Sequence, residues 1–189
     1  MANDTRQRMV EGAVRLLAQR GLQETSFSSV LELTKAPRGS IYHHFPDGKD
    51  QLVAEAVDLA GAHAAAAMEP ARGSSADDIA ARFLSLWRSV LTYSDYTTGC
   101  SVLAVTVASD SNDLLSHTAE VFRAWRAQLA ELLQRGGLSA TDARRFAASL
   151  IAGSEGAVVM SRAEKSVEPF DLVAESLRAQ VASLPRGAG

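Results

Sequence analysis

The amino-acid sequence predicts an all-α fold, and three observations predict it. Apolar residues recur at spacings of three and four through most of the chain. Glycine and proline gather at a few breaks between those periodic stretches. Serine, threonine, asparagine or aspartate stands at the start of several stretches, where a side-chain oxygen caps free backbone N–H groups.

Taken in order, Met1 to Asp4 reads as a polar arm, with Asn3 or Asp4 capping a helix from about Thr5 to Gln19. Met9, Ala13, Leu16 and Leu17 form its buried face, and Gly21 supplies a left-handed stop. Ser26 or Ser28 caps a short second helix with Phe27, Val30, Leu31 and Leu33 on one face. Thr34-Lys35-Ala36 is a turn, and Pro37 suits the first position of a third short helix. There Ile41 and Phe45 point inward at i and i+4.

A longer helix from Lys49 to about Met68 follows, broken by the proline and small polar residues of 69–75. Asp77 to about Ser94 is amphipathic through Ile79, Phe83, Leu86, Trp87, Val90 and Leu91. Periodicity alone allows either a buried strand or a buried helix for Cys100 to Ser109, and the helical context favours a short helix. Asn112 to Gln134 is a long helix ended by Gly136-Gly137, and Ser139 or Thr141 caps another reaching about Ala163. Ala147, Ala148, Ala152, Gly153, Gly156 and Ala157 permit close helix approach there. Pro169 opens a last helix with Phe170, Leu172, Val173, Leu177, Val181 and Leu184 buried, and 185–189 reads as a frayed tail.

Composition limits the function classes. A chain of 189 residues, 47% hydrophobic and 22% charged, buries a substantial core in one domain or two small ones. A net charge of −3 argues against a nonspecific coat on nucleic acid, while remaining compatible with a locally basic surface. Cys100 is the single cysteine, which excludes an intramolecular disulfide framework and fits a reducing cytosol. No export signal or membrane span is recognised, so a cytoplasmic protein without a membrane partner is expected.

The stretch Ser26 to Leu52 carries the most chemistry. Two short helices joined by a tight turn leave Arg38, Gly39, Ser40, Tyr42, His43 and His44 outside the packed face. Such a unit fits a DNA groove: a helix N-terminus accepts phosphate, Gly39 allows close backbone approach, and Ser40 can bond a base edge. Tyr42, His43, His44 and Lys49 supply donors to phosphate oxygens, and Ser26, Ser28 and Pro37 complete the candidate DNA-binding set. Arg6 and Arg8 read equally as phosphate contacts and as solvated charge.

Arg38-Gly-Ser-Ile-Tyr-His-His-Phe45 followed by Lys49-Asp-Gln-Leu52 resembles the G-x-L-Y-x-H-F-x-x-K-x-x-L signature of TetR-type, or tetracycline-repressor-like, regulators. Gly48 and the Gly99-Cys100 segment are similar to the branch around LmrA and YxaF. The chain departs from the pattern at Thr34-Lys35, where Ala-Gly is usual, and at Leu31, where the family has a small alanine. A side chain at positive φ in that corner costs about 1 kcal/mol.

The resemblance implies a DNA-binding domain over residues 1–48 and a ligand-binding, dimerising domain over 49–189. It implies a homodimer built through the last two helices, an inverted-repeat operator in double-stranded DNA, and a small-molecule inducer of lipophilic or aromatic character. Candidate pocket residues are Phe83, Trp87, Tyr93, Tyr96, Cys100, Phe122 and Trp125; candidate dimer contacts are Ala148, Ala152, Gly156, Val159, Leu172 and Leu177.

Competing constellations are thin. Adjacent His43 and His44 point about 100° apart on a helix and make poor metal co-ligands, and His63 and His117 lie elsewhere, so no metal or other cofactor is expected. Asp95, Asp110, Asp113 and Glu155 could select a cation, but solvated or capping roles are the expectation for each. No nucleophile elbow, phosphate loop or H-E-x-x-H supports an enzyme. The alternative is a helical small-molecule-binding or adaptor protein without specific DNA binding, for which the acidic composition is the best support.

Overall fold

A computed structural model describes residues 2–187, which form nine α-helices and no strand. These are α1 (Ala2–Glu24), α2 (Phe27–Thr34), α3 (Arg38–His44), α4 (Lys49–Met68), α5 (Ala76–Tyr93), α6 (Ser101–Ala108), α7 (Asn112–Arg135), α8 (Ala140–Glu164) and α9 (Glu168–Ser183). Met1 of the expected arm, the Asn3 side chain, and Ala188 and Gly189 of the expected tail lie outside the described residues. Helical backbone begins at Ala2, ahead of the expected Asn3 or Asp4 cap. Gly21, at φ 80° and ψ −178°, interrupts α1 as expected, but one more helical turn, Leu22 to Glu24, follows it.

The chain divides into two compact units, one of residues 1–63 with 100–122 and the other of residues 64–99 with 123–189. In the first, α1 packs on α2 and α6, with Met9, Ala13, Leu16 and Leu17 buried. Gly12 makes the α1–α2 approach possible: a Cβ there would lie 2.6 Å from Cγ2 of Thr34. Leu33, expected on the packed face of α2, is 39% exposed. It stands at the edge of that face, about 60° around the helix from the buried Val30. The ambiguous apolar stretch is helical, as α6, with Val102 and Val105 buried.

In the second unit, α8 packs on α9, and α5 packs on both. Gly153 lets α9 close onto α8, since a Cβ there would stand 3.2 Å from Cδ1 of Leu177. The buried side of α5 is Ala76, Ile79, Ala80, Leu84 and Leu91; Val90, expected inside, is 37% exposed. Leu172 is also corrected. It is 61% exposed, because two positions beyond the buried Phe170 a helix turns by about 200°. Ser161 Oγ accepts the Phe170 amide at 3.1 Å and fixes the α8–α9 corner. Arg88 grips Asp171 through two hydrogen bonds of 2.8 and 3.0 Å, which raise its pKa above the usual guanidinium value. Hydrogen bonds from Arg72, with a second from Gln128, hold the Glu69 carboxyl below the usual range.

Candidate nucleic-acid interface

The entry to α2 is fixed by a reciprocal cap. Ser26 Oγ accepts the Ser29 amide at 3.1 Å while Ser29 Oγ accepts the Ser26 amide at 2.8 Å. Ser26, of the two serines considered, is therefore the cap; its hydroxyl is committed there, while Ser28 is exposed beside it. Lys35 closes α2 at φ 55° and ψ 29°, the left-handed corner expected to form without glycine.

Pro37 stands one position earlier than expected. It is the N-cap of α3, at φ −63° and ψ 134°, and its carbonyl accepts both the Ser40 amide (3.0 Å) and the Ser40 hydroxyl (2.7 Å). Ile41 and Phe45 have no exposed surface, as expected, and hold α3 down by one side. The other side is open. Arg38, Gly39, Tyr42 and His43 are exposed, and Ser40 and His44 are half-buried. A Cβ on Gly39 would meet nothing within 4 Å, so the chain's own packing does not demand glycine there. Close approach of an outside body does give it a use.

Tyr42 is 70% exposed yet not loose. Its ring stands edge-on to Phe27 of α2, centroids 5.4 Å apart at 86°. Its hydroxyl is thereby carried on a braced ring. Lys49 is turned back toward the chain, its ammonium donating to the Leu22 carbonyl at 2.9 Å, where the end of α1 carries partial negative charge. One of three donors is used, so a phosphate oxygen can share the group.

Arg6 has a partner that sequence spacing did not announce. Its guanidinium contacts Glu55 Oε1 at 2.5 Å and lies 5.3 Å above the Phe45 ring. Arg8 lies 3.6 Å from Asp4, near the start of the same helix. Glu55 and Gln51 were missed as site residues, since nothing local marks a pairing across 49 positions.

Other candidates fall in several places. Phe83, Trp87, Tyr96 and Trp125 are half-buried in the second unit, and Cys100 and Phe122 belong to the first. Cys100 is buried and caps α6, its Sγ accepting the Leu103 amide at 3.4 Å. Tyr93 is corrected: at 92% exposure it lines no interior cavity of the chain, because it lies at the last turn of α5, facing away from Leu91 and Leu84. A surface groove of about 540 Å³ in the second unit is lined by Leu84, Arg88, Phe170, Asp171 and Arg178 among others, and by none of the aromatic candidates. Asp95, Asp110 and Asp113 are exposed as expected, whereas Glu155 is buried at 7% because α8 turns it into the protein.

On α8, Ala152, Gly156 and Val159 form an exposed strip one helical turn apart, with Met160 beside it and Ala148 half-buried at its head. Leu172 of α9 is exposed, while Leu177, read both as a buried position of the last helix and as a dimer contact, is 7% exposed against Gly153. Among the described residues no three His, Cys, Asp or Glu side chains come together as metal ligands. No described helix is long and apolar enough to cross a membrane.

Residues 9–56 match the family model of bacterial regulatory proteins of the tetR family, and residues 77–176 match the model of the LmrA/YxaF-like transcriptional regulator C-terminal domain. An uncharacterized HTH-type transcriptional regulator of Mycobacterium tuberculosis is 36% identical over 92% of both chains. The HTH-type regulator YxaF of Bacillus subtilis is 28% identical over 92% of this chain and 93% of its own. Among solved structures, a TetR transcriptional regulator from Chloroflexus aurantiacus superposes with a TM-score of 0.79 at 27% identity, covering 99% of this chain and 98% of that one.

Proposed function

We propose a mechanism from one premise: this chain belongs to the TetR family of bacterial transcriptional regulators, in its LmrA/YxaF-like branch, and is a DNA-binding transcriptional regulator. It acts as a homodimeric repressor in the cytoplasm, released from a palindromic operator by a small lipophilic or aromatic ligand. The reading of a helical adaptor without specific DNA binding gives way to that membership. No catalysis is assigned to the chain.

The observation that carries the DNA-reading role is the two-sidedness of α3. Ile41 and Phe45 are fully buried, while Arg38, Gly39, Tyr42 and His43 are exposed on a helix too short to serve any large packing purpose. Residues 1–48 are the reading head and 49–189 the ligand and dimer part. Arg38 and Ser40 read base edges; Tyr42, His43, His44 and Lys49 hold phosphates; Ser28 and the Pro37-capped start of α3 approach the backbone. One short helix reads too few bases for a unique site, so two copies pair. The exposed apolar strip of Ala152, Gly156 and Val159, with Leu172, supports pairing through α8 and α9. Two reading heads then meet half-sites about 34 Å apart.

Release follows from linkage. A ligand seated among Phe83, Trp87, Tyr96 and Trp125 lowers operator affinity if it binds the DNA-incompetent form more tightly. The half-buried state of these rings supports an aromatic-rich site. α4 begins at Lys49 beside the reading head and continues to Met68, which makes it the covalent link for that change.

Selection of bound sequences from random duplex DNA tests the reading, with the winner titrated by fluorescence anisotropy at two salt concentrations. An enriched inverted repeat bound by a dimer is the expected result. No enrichment, with weak binding even at low salt, would overturn it.

A further inference from the structure

Arg6 and Glu55 sit at the meeting point of three elements. Arg6 comes from α1, Glu55 from α4, and Phe45, whose ring lies beneath the guanidinium, ends α3. The Arg6 side chain is 38% exposed and that of Glu55 25%. From Glu55 the contacts run on. Oε1 of Glu55 also accepts the Gln51 Nε2 hydrogen at 3.3 Å, and Gln51 Oε1 accepts the Asp47 amide at 3.2 Å. Asp47 lies in the turn between α3 and α4, which is closed by the Gly48 amide on the Phe45 carbonyl at 3.1 Å.

α3 needs such a support. A helix of 7 residues is far below the length that is stable by itself, and only Ile41 within it is buried. Its direction is therefore set from its two ends. The Lys35–Pro37 corner fixes one end, and the turn 45–48 fixes the other. A cation over the Phe45 ring, tied by a carboxylate to α4, bears on that second end directly.

We propose that Arg6 is a positioning residue for DNA reading: with Glu55 and Gln51 it aims α3 through Phe45 and the turn after it, and is not a phosphate contact. This rests on the DNA-reading role assigned above and adds a specificity-determining network outside the reading helix. Two roles for Arg6 make opposite forecasts. A phosphate contact is weakened by a neighbouring carboxylate, so neutralising Glu55 would tighten binding. A positioning cation depends on that carboxylate, so neutralising Glu55 loosens it.

The test uses the full chain as the variants Arg6→Met, Glu55→Gln and both together. Each is titrated by anisotropy onto the inverted-repeat duplex obtained by selection, and onto a scrambled duplex of equal length, over a series of salt concentrations. Circular dichroism confirms that each variant is folded at the temperature used. The expected result is a roughly tenfold loss on the selected duplex for each single variant, with no further loss in the pair, since both remove one network. Binding to the scrambled duplex and the dependence of log Kd on log salt are expected to stay as in the unaltered protein, because the number of neutralised phosphates is unchanged. A merely structural role would not separate the two duplexes. Tighter binding by Glu55→Gln, or a salt slope flatter by about one per reading head in Arg6→Met, would overturn the proposal. Unchanged affinity of Arg6→Met for the selected duplex would also overturn it. If the unaltered protein preferred no duplex, the DNA-reading role itself would fall, an outcome separate from equal binding by protein and variants.

Discussion

The Phe27 ring braces Tyr42, edge to face at 5.4 Å, so the exposed tyrosine of α3 is aimed by a residue of α2. An edge-to-face pair contributes about 0.5–1.5 kcal/mol beyond area burial. Its role here is direction, since Tyr42 remains 70% exposed. Phe27→Leu is expected to weaken operator binding by about two- to threefold, the rotational freedom it returns to Tyr42 being a fraction of that energy. Tyr42→Phe keeps the ring pair and loses the hydroxyl, and Tyr42→Ala loses both. Anisotropy titrations should rank affinity as unaltered, then Tyr42→Phe, then Tyr42→Ala, with operator and scrambled duplex affected alike. Equal binding by Tyr42→Ala and the unaltered protein would remove Tyr42 from the interface.

Gly12 and Thr34 set the distance between α1 and α2. Alanine is favoured over glycine inside a helix by about 1 kcal/mol, and at most positions Gly12→Ala would be stabilising. Here its methyl would fall 2.6 Å from Thr34 Cγ2, so overpacking of about 1–3 kcal/mol opposes the gain. Urea unfolding should show a net loss for Gly12→Ala and recovery on adding Thr34→Ser, which removes the offending methyl. Stabilisation by Gly12→Ala alone would show that the two helices part without cost.

Lys35 tests the turn. Its φ of 55° places a lysine where the family pattern has glycine. Lys35→Gly relieves about 1–2 kcal/mol of left-handed strain and adds unfolded-state entropy worth up to about 1 kcal/mol in the opposite direction. A small net stabilisation is expected, under about 1 kcal/mol, whereas Lys35→Val should destabilise by more than that, since a β-branched side chain resists positive φ. Chemical denaturation of the three proteins reads the order directly. A Lys35→Val protein as stable as Lys35→Gly would mean that the corner is not left-handed in solution.

What could be read from the sequence follows physical range. The capped start at Ser26, the inward pair Ile41 and Phe45, the glycine break at Gly21 and the helical stretches are local, and each follows from spacing within a few turns. Apolar spacing misleads where it carries residues from more than one side of a helix. Leu172 is apolar but rotated away from Phe170, Leu33 stands at the edge of the packed side of α2, and Leu177 lies on the same side as Phe170, inside the chain. The Arg6–Glu55 and Lys49–Leu22 contacts were invisible for a different reason: they join residues 49 and 27 positions apart, and no periodicity marks them. Nothing in the sequence distinguished a lysine aimed at phosphate from one that also steadies α1.

Lys49 therefore separates two contributions. Its ammonium lies 2.9 Å from the Leu22 carbonyl, where a cation near a helix C-terminus adds about 0.3–1 kcal/mol. Lys49→Met should lower stability by that amount in urea and also flatten the salt dependence of DNA binding by about one per reading head, if the remaining donors meet a phosphate. Loss of stability without a change in salt slope would assign Lys49 to holding α1 alone.

Val159 and Leu172 belong to the pairing surface proposed above. Both are exposed in the single chain, at 53% and 61%, and large apolar side chains at that exposure gain about 25 cal/mol per Å² when a partner covers them. Val159→Asp, placed beside the small residues Ala152 and Gly156, puts a carboxylate where close helix approach would strip its water. Sedimentation equilibrium should show the unaltered chain as a dimer and Val159→Asp shifted toward monomer, with helical content by circular dichroism unchanged. Because an inverted repeat is held by two heads at once, that variant should lose at least about a hundredfold in operator affinity, the lower end of what linking two binding events supplies. Binding to a single half-site should be unaffected. A Val159→Asp chain that stayed dimeric would place the pairing surface elsewhere, and Leu172→Asp, on the neighbouring helix, would then show whether α9 alone carries it.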